Sequence, residues 1–190
     1  MKKPVTIIIL GPVGSGKGTQ ANFLARKFGW EHISTGALLR NRIRIKDELG
    51  QELALIMKKG KLVPSWVVFT LTITHVSQYR WKGVVIDGSP RTLSESNMLD
   101  EALARLGRNN LIVLYLHISP KETMGRLLKR ARSDDSAKSI KVRINVFKNQ
   151  VMPVINHYRR KALVLEVDGE QSREKVFEEI INKLKESGVT

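Results

Sequence analysis

Residues 7–20 read Ile-Ile-Ile-Leu-Gly-Pro-Val-Gly-Ser-Gly-Lys-Gly-Thr-Gln. The apolar run from Val5 to Leu10 reads as a buried strand. Gly11 to Lys17 fits G-x-x-x-x-G-K, the pattern of a phosphate-binding loop between a strand and a helix. Glycines at positions 11, 14 and 16 let successive N–H groups turn inward around a phosphate, at the positive end of the following helix. Lys17 is placed to reach the outer phosphates as a mobile point charge. The next residue is Gly18, not Ser or Thr, so Mg²⁺ must be held mainly by substrate phosphates, waters and a carboxylate elsewhere. A ligand-free glycine turn is the plainer alternative, but the flanking strand and helix patterns argue for a nucleotide.

Outward from this loop, the pattern alternates strands and helices. Lys17 to Phe28 reads as a helix stopped by Gly29, and Trp30 to Ile33 as a second strand. Ser34 or Thr35 caps a helix to about Ile45, and a second short helix spans Asp47 to Lys58. Pro64 opens a helix to about Arg80. Gly83 to Gly88 is a third strand ending in a carboxylate and a glycine, followed by the turn Ser89 to Thr92 and a helix from about Ser94 to Leu106. Asn110 to His117 is a fourth strand, so apolar that it suits a parallel sheet covered on both faces. A helix runs from Pro120 to about Ala131. The pattern predicts one continuous helix from Lys138 to Arg160, with Ile140, Ile144, Phe147, Val151, Ile155 and Tyr158 inward. Ala162 to Val167 is a fifth strand, and Ser172 caps a last helix to about Glu186. The expected fold is α/β, three layers around a five-stranded parallel sheet, with ligands at the strands' C-terminal ends. Residues 34–63 look inserted, with little core of their own, and are expected to move as a flap.

The chain has 190 residues, suited to a single domain, and its 42% hydrophobic content argues against disorder. There are no cysteines, which fits a reducing cytoplasm and leaves no cysteine zinc site. The apolar run after Lys2 and Lys3 is too short for a signal peptide, and no stretch is long enough to span a membrane. A net charge of +15, from 33 Lys plus Arg against 18 Asp plus Glu, implies an acidic partner. Arginines recur past the predicted strand ends: Arg40, Arg91, Arg126, Arg130, Arg132 and Arg143. Guanidinium forks fit phosphate oxygens, and phosphoryl transfer needs such clamps. Asp87, at a strand end near the loop, is the candidate for Mg²⁺ through water.

With these motifs on the page, the chain resembles the adenylate kinases, within the nucleoside monophosphate kinases, over nearly its whole length. The resemblance rests on Gly11–Gln20, Ser34–Arg40, Lys61–Pro64, Asp87–Thr92, Leu127–Arg132 with Asp134 and Asp135, and Arg143. It implies reversible transfer of the γ-phosphoryl of Mg-ATP to AMP, giving two ADP. It implies a core (1–33, 64–129, 137–190), a monophosphate-binding flap (34–63) and a minimal lid (130–136). Gly14, Ser15, Gly16, Lys17, Gly18 and Thr19, with Arg126 and Arg130, are then expected to bind ATP. Thr35, Gly36, Arg40, Leu62, Val63, Gly88, Arg91, Glu95, Arg132 and Arg143 are expected to bind AMP. Lys17, Arg91, Arg126, Arg130, Arg132 and Arg143 form the catalytic charge set, and Asp87 supports Mg²⁺.

The chain departs from the family pattern at three places. Ala37 stands where the family has Asp, Glu95 stands where it reads adenine with Gln, and only Ala131 separates Arg130 from Arg132. The lid is therefore near a tight turn, without the zinc-bearing long form. An ionised Glu95 only accepts hydrogen bonds, which suits guanine's N–H donors better than adenine's N1. AMP is the first acceptor on the motif evidence, with GMP or CMP as alternatives. A nucleotide-regulated nucleic-acid-binding protein is the alternative of another class. The basic charge supports it, but the arginine constellation is better explained by catalysis. The oligomeric state is not legible in the sequence.

Overall fold

A computed structural model describes residues 4–130 and 136–189. Strands β1 (Val5–Leu10), β2 (Glu31–Ser34), β3 (Val84–Asp87), β4 (Asn110–His117) and β5 (Val164–Asp168) form one parallel sheet, ordered β2-β3-β1-β4-β5. The helices are α1 (Lys17–Phe28), α2 (Thr35–Ile43), α3 (Glu48–Lys58), α4 (Ser65–Ser77), α5 (Leu93–Arg105), α6 (Pro120–Arg130), α7 (Ala137–Val146), α8 (Met152–Arg160) and α9 (Arg173–Glu186). The expected α/β fold with a five-stranded parallel sheet is the one observed.

The apolar strands are continuous because both faces are covered. Strand side chains alternate between faces, so one β1 run feeds two cores. Ile8 and Leu10 join Val84, Ile86 and Val113 against Leu99, Val154 and Tyr158 from α5 and α8. Ile7 and Ile9 join Val85, Leu114 and Leu116 against Leu24 of α1 and Ile180 of α9. Beneath the sheet's N-terminal edge lies Arg108, 2% exposed. Its guanidinium donates to Thr6 Oγ1 at 3.0 Å, the Tyr79 carbonyl at 2.8 Å, the Lys82 carbonyl at 2.9 Å and the Val5 carbonyl at 3.3 Å. Two of those carbonyls lie past the end of α4, which stops at Ser77 rather than continuing to Arg80 as the pattern predicts.

The expected long helix from Lys138 to Arg160 is interrupted. α7 ends at Val146, a π-helical turn spans Phe147–Val151, and α8 begins at Met152. Pro153 is the physical cause. It has no N–H, and in a regular helix its ring would clash with the carbonyl four residues back. The wider turn, in which the Met152 N–H reaches the Phe147 carbonyl, absorbs the misfit. Smaller differences are at element ends: β2 is shifted one residue to Glu31–Ser34, and Asp47 lies outside α3 as its cap, accepting from the Gly50 N–H at 2.8 Å.

Residues 34–63 are better packed than expected. Leu39, Leu53 and Val63 form a third cluster with Val67 and Val68, so this segment shares its core with α4. Gly60, at φ +71°, presses on α7, and a Cβ there would stand 2.8 Å from the Ser139 carbonyl oxygen. Gly60→Ala combines left-handed strain with a backbone clash and is expected to cost about 1–3 kcal/mol. The corresponding fall in Tm is roughly 3–10 °C in a chain of this size. An unchanged melting curve would show that the loop leaves α7 freely. No helix among the described residues is long and apolar enough to cross a membrane.

Candidate phosphoryl-transfer site

A cleft of about 1300 Å³ opens at the C-terminal ends of β1 and β3. β1 is the centre of the sheet: the chain leaves it toward β2 on one side, while β4 leads to β5 on the other. That reversal leaves a crevice at the strand ends, where open α/β sheets hold ligands. The loop from Gly11 to Gly16 forms one wall. Gly14 and Gly16, at φ +87° and +91°, hold the left-handed backbone that lets the loop curl. Lys17 opens α1, and its Nζ donates to the Gly11 carbonyl at 2.9 Å and the Pro12 carbonyl at 2.7 Å. Ser15 Oγ is buried here with no hydrogen-bond partner among the described residues.

Opposite the loop, Asp87 ends β3. Its Oδ2 lies 3.2 Å from where a Cβ on Gly18 would stand, so a Ser or Thr at 18 would crowd the carboxylate. The His32 Nε2 lies 3.9 Å from the same oxygen. Burial opposes ionisation of Asp87, but His32, Lys17 and Arg91 hold its carboxyl below the usual value. It therefore stays charged. No cluster of three or more His, Cys, Asp or Glu side chains is poised for a metal among the described residues. One ionised carboxylate fits Mg²⁺, which keeps several waters and binds through few protein ligands plus substrate phosphates.

The arginines converge on the same cleft. Arg91 Nε donates to the Gly88 carbonyl at 2.6 Å, which aims the guanidinium across the cleft floor. Burial and the nearby Arg143 guanidinium depress its pKa, against the opposing pull of Glu95 and Asp87. Arg143 lines the same cleft, so both guanidiniums are within reach of an anion bound there. Arg126, on α6, is held by Glu122 at 2.6 Å and by the Gly169 carbonyl at 2.9 Å, at the loop's other end. Gly14, Ser15, Gly16, Gly18, Thr19, Gly36, Arg40, Leu62, Gly88 and Arg143 also line the cleft. Thr35, Val63 and Glu95 line a small cavity beside it. The Arg130 side chain, and the segment 131–135 with Arg132, lie outside the described residues.

Glu95, which lines that small cavity, is also tied back to the start of α5. Thr92 caps α5 by accepting from the Glu95 N–H at 3.1 Å, while Glu95 Oε2 accepts from the Arg91 N–H at 2.7 Å. This reciprocal arrangement is close to a capping box, whose Thr-x-x-Glu spacing was visible in the sequence. Sequence reasoning also missed His32. It reaches Asp87 only because β2 pairs with β3, Ser34 opposite Asp87, and no local pattern announces that pairing. Gly169 was missed as well: it follows β5 and approaches the Ser15 carbonyl so closely that a Cβ would stand 3.3 Å away.

The chain is also similar in sequence to known proteins. Residues 9–163 match the family model described as adenylate kinase. The chain is 34% identical over 181 residues to an adenylate kinase of Prochlorococcus marinus, covering 95% of this chain and 97% of that one. It is 36% identical over 185 residues to one from Azobacteroides pseudotrichonymphae, again covering 95% and 97%. To one from Thermus thermophilus it is 33% identical over 178 residues, covering 92% and 94%. With a phosphate loop, a charged aspartate and converging arginines in one cleft, and similarity over nearly the full length of these proteins, the chain belongs to the adenylate kinase family and is a nucleotide-binding kinase.

Proposed function

We propose that this chain reversibly transfers the γ-phosphoryl group of Mg-ATP to AMP, giving two ADP, in a cytoplasmic setting. The observation that carries the reading is the meeting of Lys17, Asp87, Arg91, Arg126 and Arg143 around a single cleft. ATP phosphates lie along Gly14–Thr19, with Arg126 at the donor end. The monophosphate lies between Arg91, Arg143 and Arg40, against Gly36, Gly88 and Leu62. Mg²⁺ carried with ATP would supply charge neutralisation, and Asp87 would hold it through water. The attacking phosphate oxygen is already ionised, so the chain supplies alignment and charge rather than a general base. Residues 34–63 serve as the flap that closes over the monophosphate. Residues 130–136, with Arg130 and Arg132, serve as the minimal lid.

The test is ADP formation from Mg-ATP with AMP, GMP, CMP and UMP in turn. AMP is expected to give the highest kcat/KM. Higher turnover with GMP or CMP would move the acceptor base. Absence of transfer to every monophosphate, with the protein folded, would overturn the reading.

A further inference from the structure

Among the described residues, Trp81 is the most exposed of the large hydrophobic side chains, at 67%. It lies in a turn between α4 and β3, closed by the Lys82 N–H donating to the Tyr79 carbonyl at 3.2 Å. Arg80 and Trp81 hold the two central positions of that turn. The buried Arg108 guanidinium donates to the carbonyls at both ends of it, Tyr79 at 2.8 Å and Lys82 at 2.9 Å, and so braces the turn from beneath. Cations lie over both of its aromatic rings: the Arg80 guanidinium carbon is 5.0 Å from the Trp81 ring centre, and Lys82 Nζ is 5.7 Å from that of Tyr79. The next residue, Gly83, lies against the Trp30 ring with no room for a Cβ, and Phe28 stacks on Trp30 at 4.5 Å. This brings the basic last turn of α1, with Arg26 and Lys27, to the same end of the sheet. Tyr79 and Glu31 border the cleft along β2, but Arg80, Trp81 and Lys82 do not line it. Lys82 pairs with Glu31 at 3.3 Å, whereas Arg80 has no carboxylate partner among the described residues.

We propose that the Tyr79–Lys82 turn is a second binding site, separate from the phosphoryl-transfer cleft, for single-stranded nucleic acid of any sequence. One base stacks on Trp81, and the flanking phosphates pair with Arg80 and the basic groups around it. Every base has a flat π face, so one rigid ring serves any of them. The net charge of +15 draws the phosphate backbone. Most of the 33 Lys and Arg lie outside the cleft, so the nucleotide substrates do not account for the surplus. Because Arg108 fixes the turn before anything binds, little conformational freedom is lost on capture. A membrane surface is the rival partner for a tryptophan beside cations, but surface binding grows with the apolar area inserted. Here one exposed ring sits in a tight turn between two charged residues, which is enough for a base and little for a lipid layer. Trp66 provides an internal comparison: it is 59% exposed, yet no cation stacks on it among the described residues.

The experiment is fluorescence anisotropy of a labelled oligouridylate of about 12 nucleotides, titrated with the full chain at about 50 mM salt. Saturating Mg-ADP is present throughout to occupy the cleft. The parent should bind with a micromolar Kd that weakens steeply with added salt. Trp81→Leu keeps apolar bulk and every charge but removes the ring, and should weaken binding by about tenfold. Trp81→Phe keeps a ring and should stay within about threefold of the parent. Trp66→Leu should bind as the parent does. Stacking should also quench indole emission in the unlabelled complex, and that quenching should disappear in Trp81→Phe, which removes only this one of the three tryptophans. No binding by the parent overturns the proposal, as does equal binding by the parent and Trp81→Leu, which would mean attraction by charge alone. An equal loss in Trp66→Leu, or quenching that persists in Trp81→Phe, overturns it too. Binding to phosphatidylglycerol vesicles without binding to the oligonucleotide would make the turn a membrane contact and also overturn it. None of these outcomes bears on the phosphoryl-transfer reading, which the assay for ADP tests separately.

Discussion

Lys17→Met is expected to lower turnover by about 10²–10³-fold while leaving the melting temperature within a few degrees of the parent's. The lysine's ammonium rests on the Gly11 and Pro12 carbonyls, at the mouth of the loop and near the charged Asp87. A phosphate presented to the loop offers stronger, charge-assisted partners than those two carbonyls. Charge building on the transferring group's oxygens then gains a positive neighbour that costs little reorganisation. Methionine keeps most of the unbranched stem and removes only the charge. A coupled assay for ADP, run alongside thermal melting, separates the two effects. Turnover within a few-fold of the parent would remove Lys17 from the chemistry.

Arg108→Met should do the reverse, with a large loss of stability and little change in catalysis. Arg108 lies at the N-terminal edge of the sheet, away from the cleft, with its head among the carbonyls of Val5, Tyr79 and Lys82 and the Thr6 hydroxyl. Burial depresses its pKa, and the surrounding carbonyl and hydroxyl oxygens provide its hydrogen-bonding partners. Methionine fills part of the space and leaves those acceptors without a donor. The expected cost is about 2–4 kcal/mol, against a gain from no longer burying a charge. That corresponds to a fall in Tm of about 10 °C. Assayed well below that temperature, kcat should stay within a few-fold of the parent. A melting point within about 2 °C of the parent's would show that water takes over the lost donors.

Local chemistry made much of this legible from residue order. Ile7 to Leu10 and Leu111 to Leu116 are almost wholly apolar because each lies in a sheet covered on both sides, and such runs read as buried strands without coordinates. The loop from Gly11 to Lys17 carries its geometry in its own glycines. Asp87 was legible because it ends a readable strand, and Arg91 because it stands between that strand and the next helix. The rest depended on segments distant in the chain. Lys138 to Arg160 has one helical stripe, yet Pro153 opens a π turn that one-dimensional periodicity does not register. His32 gained its partner from strand pairing, and Arg108 gained four from turns and a strand end that meet only in the folded chain. At Glu95 the residue type suggested a charged acceptor. Burial beneath residues 34–63 raises its pKa and the bond from the Arg91 N–H lowers it, because the cost of a charge depends on the surrounding medium and no single position encodes that medium.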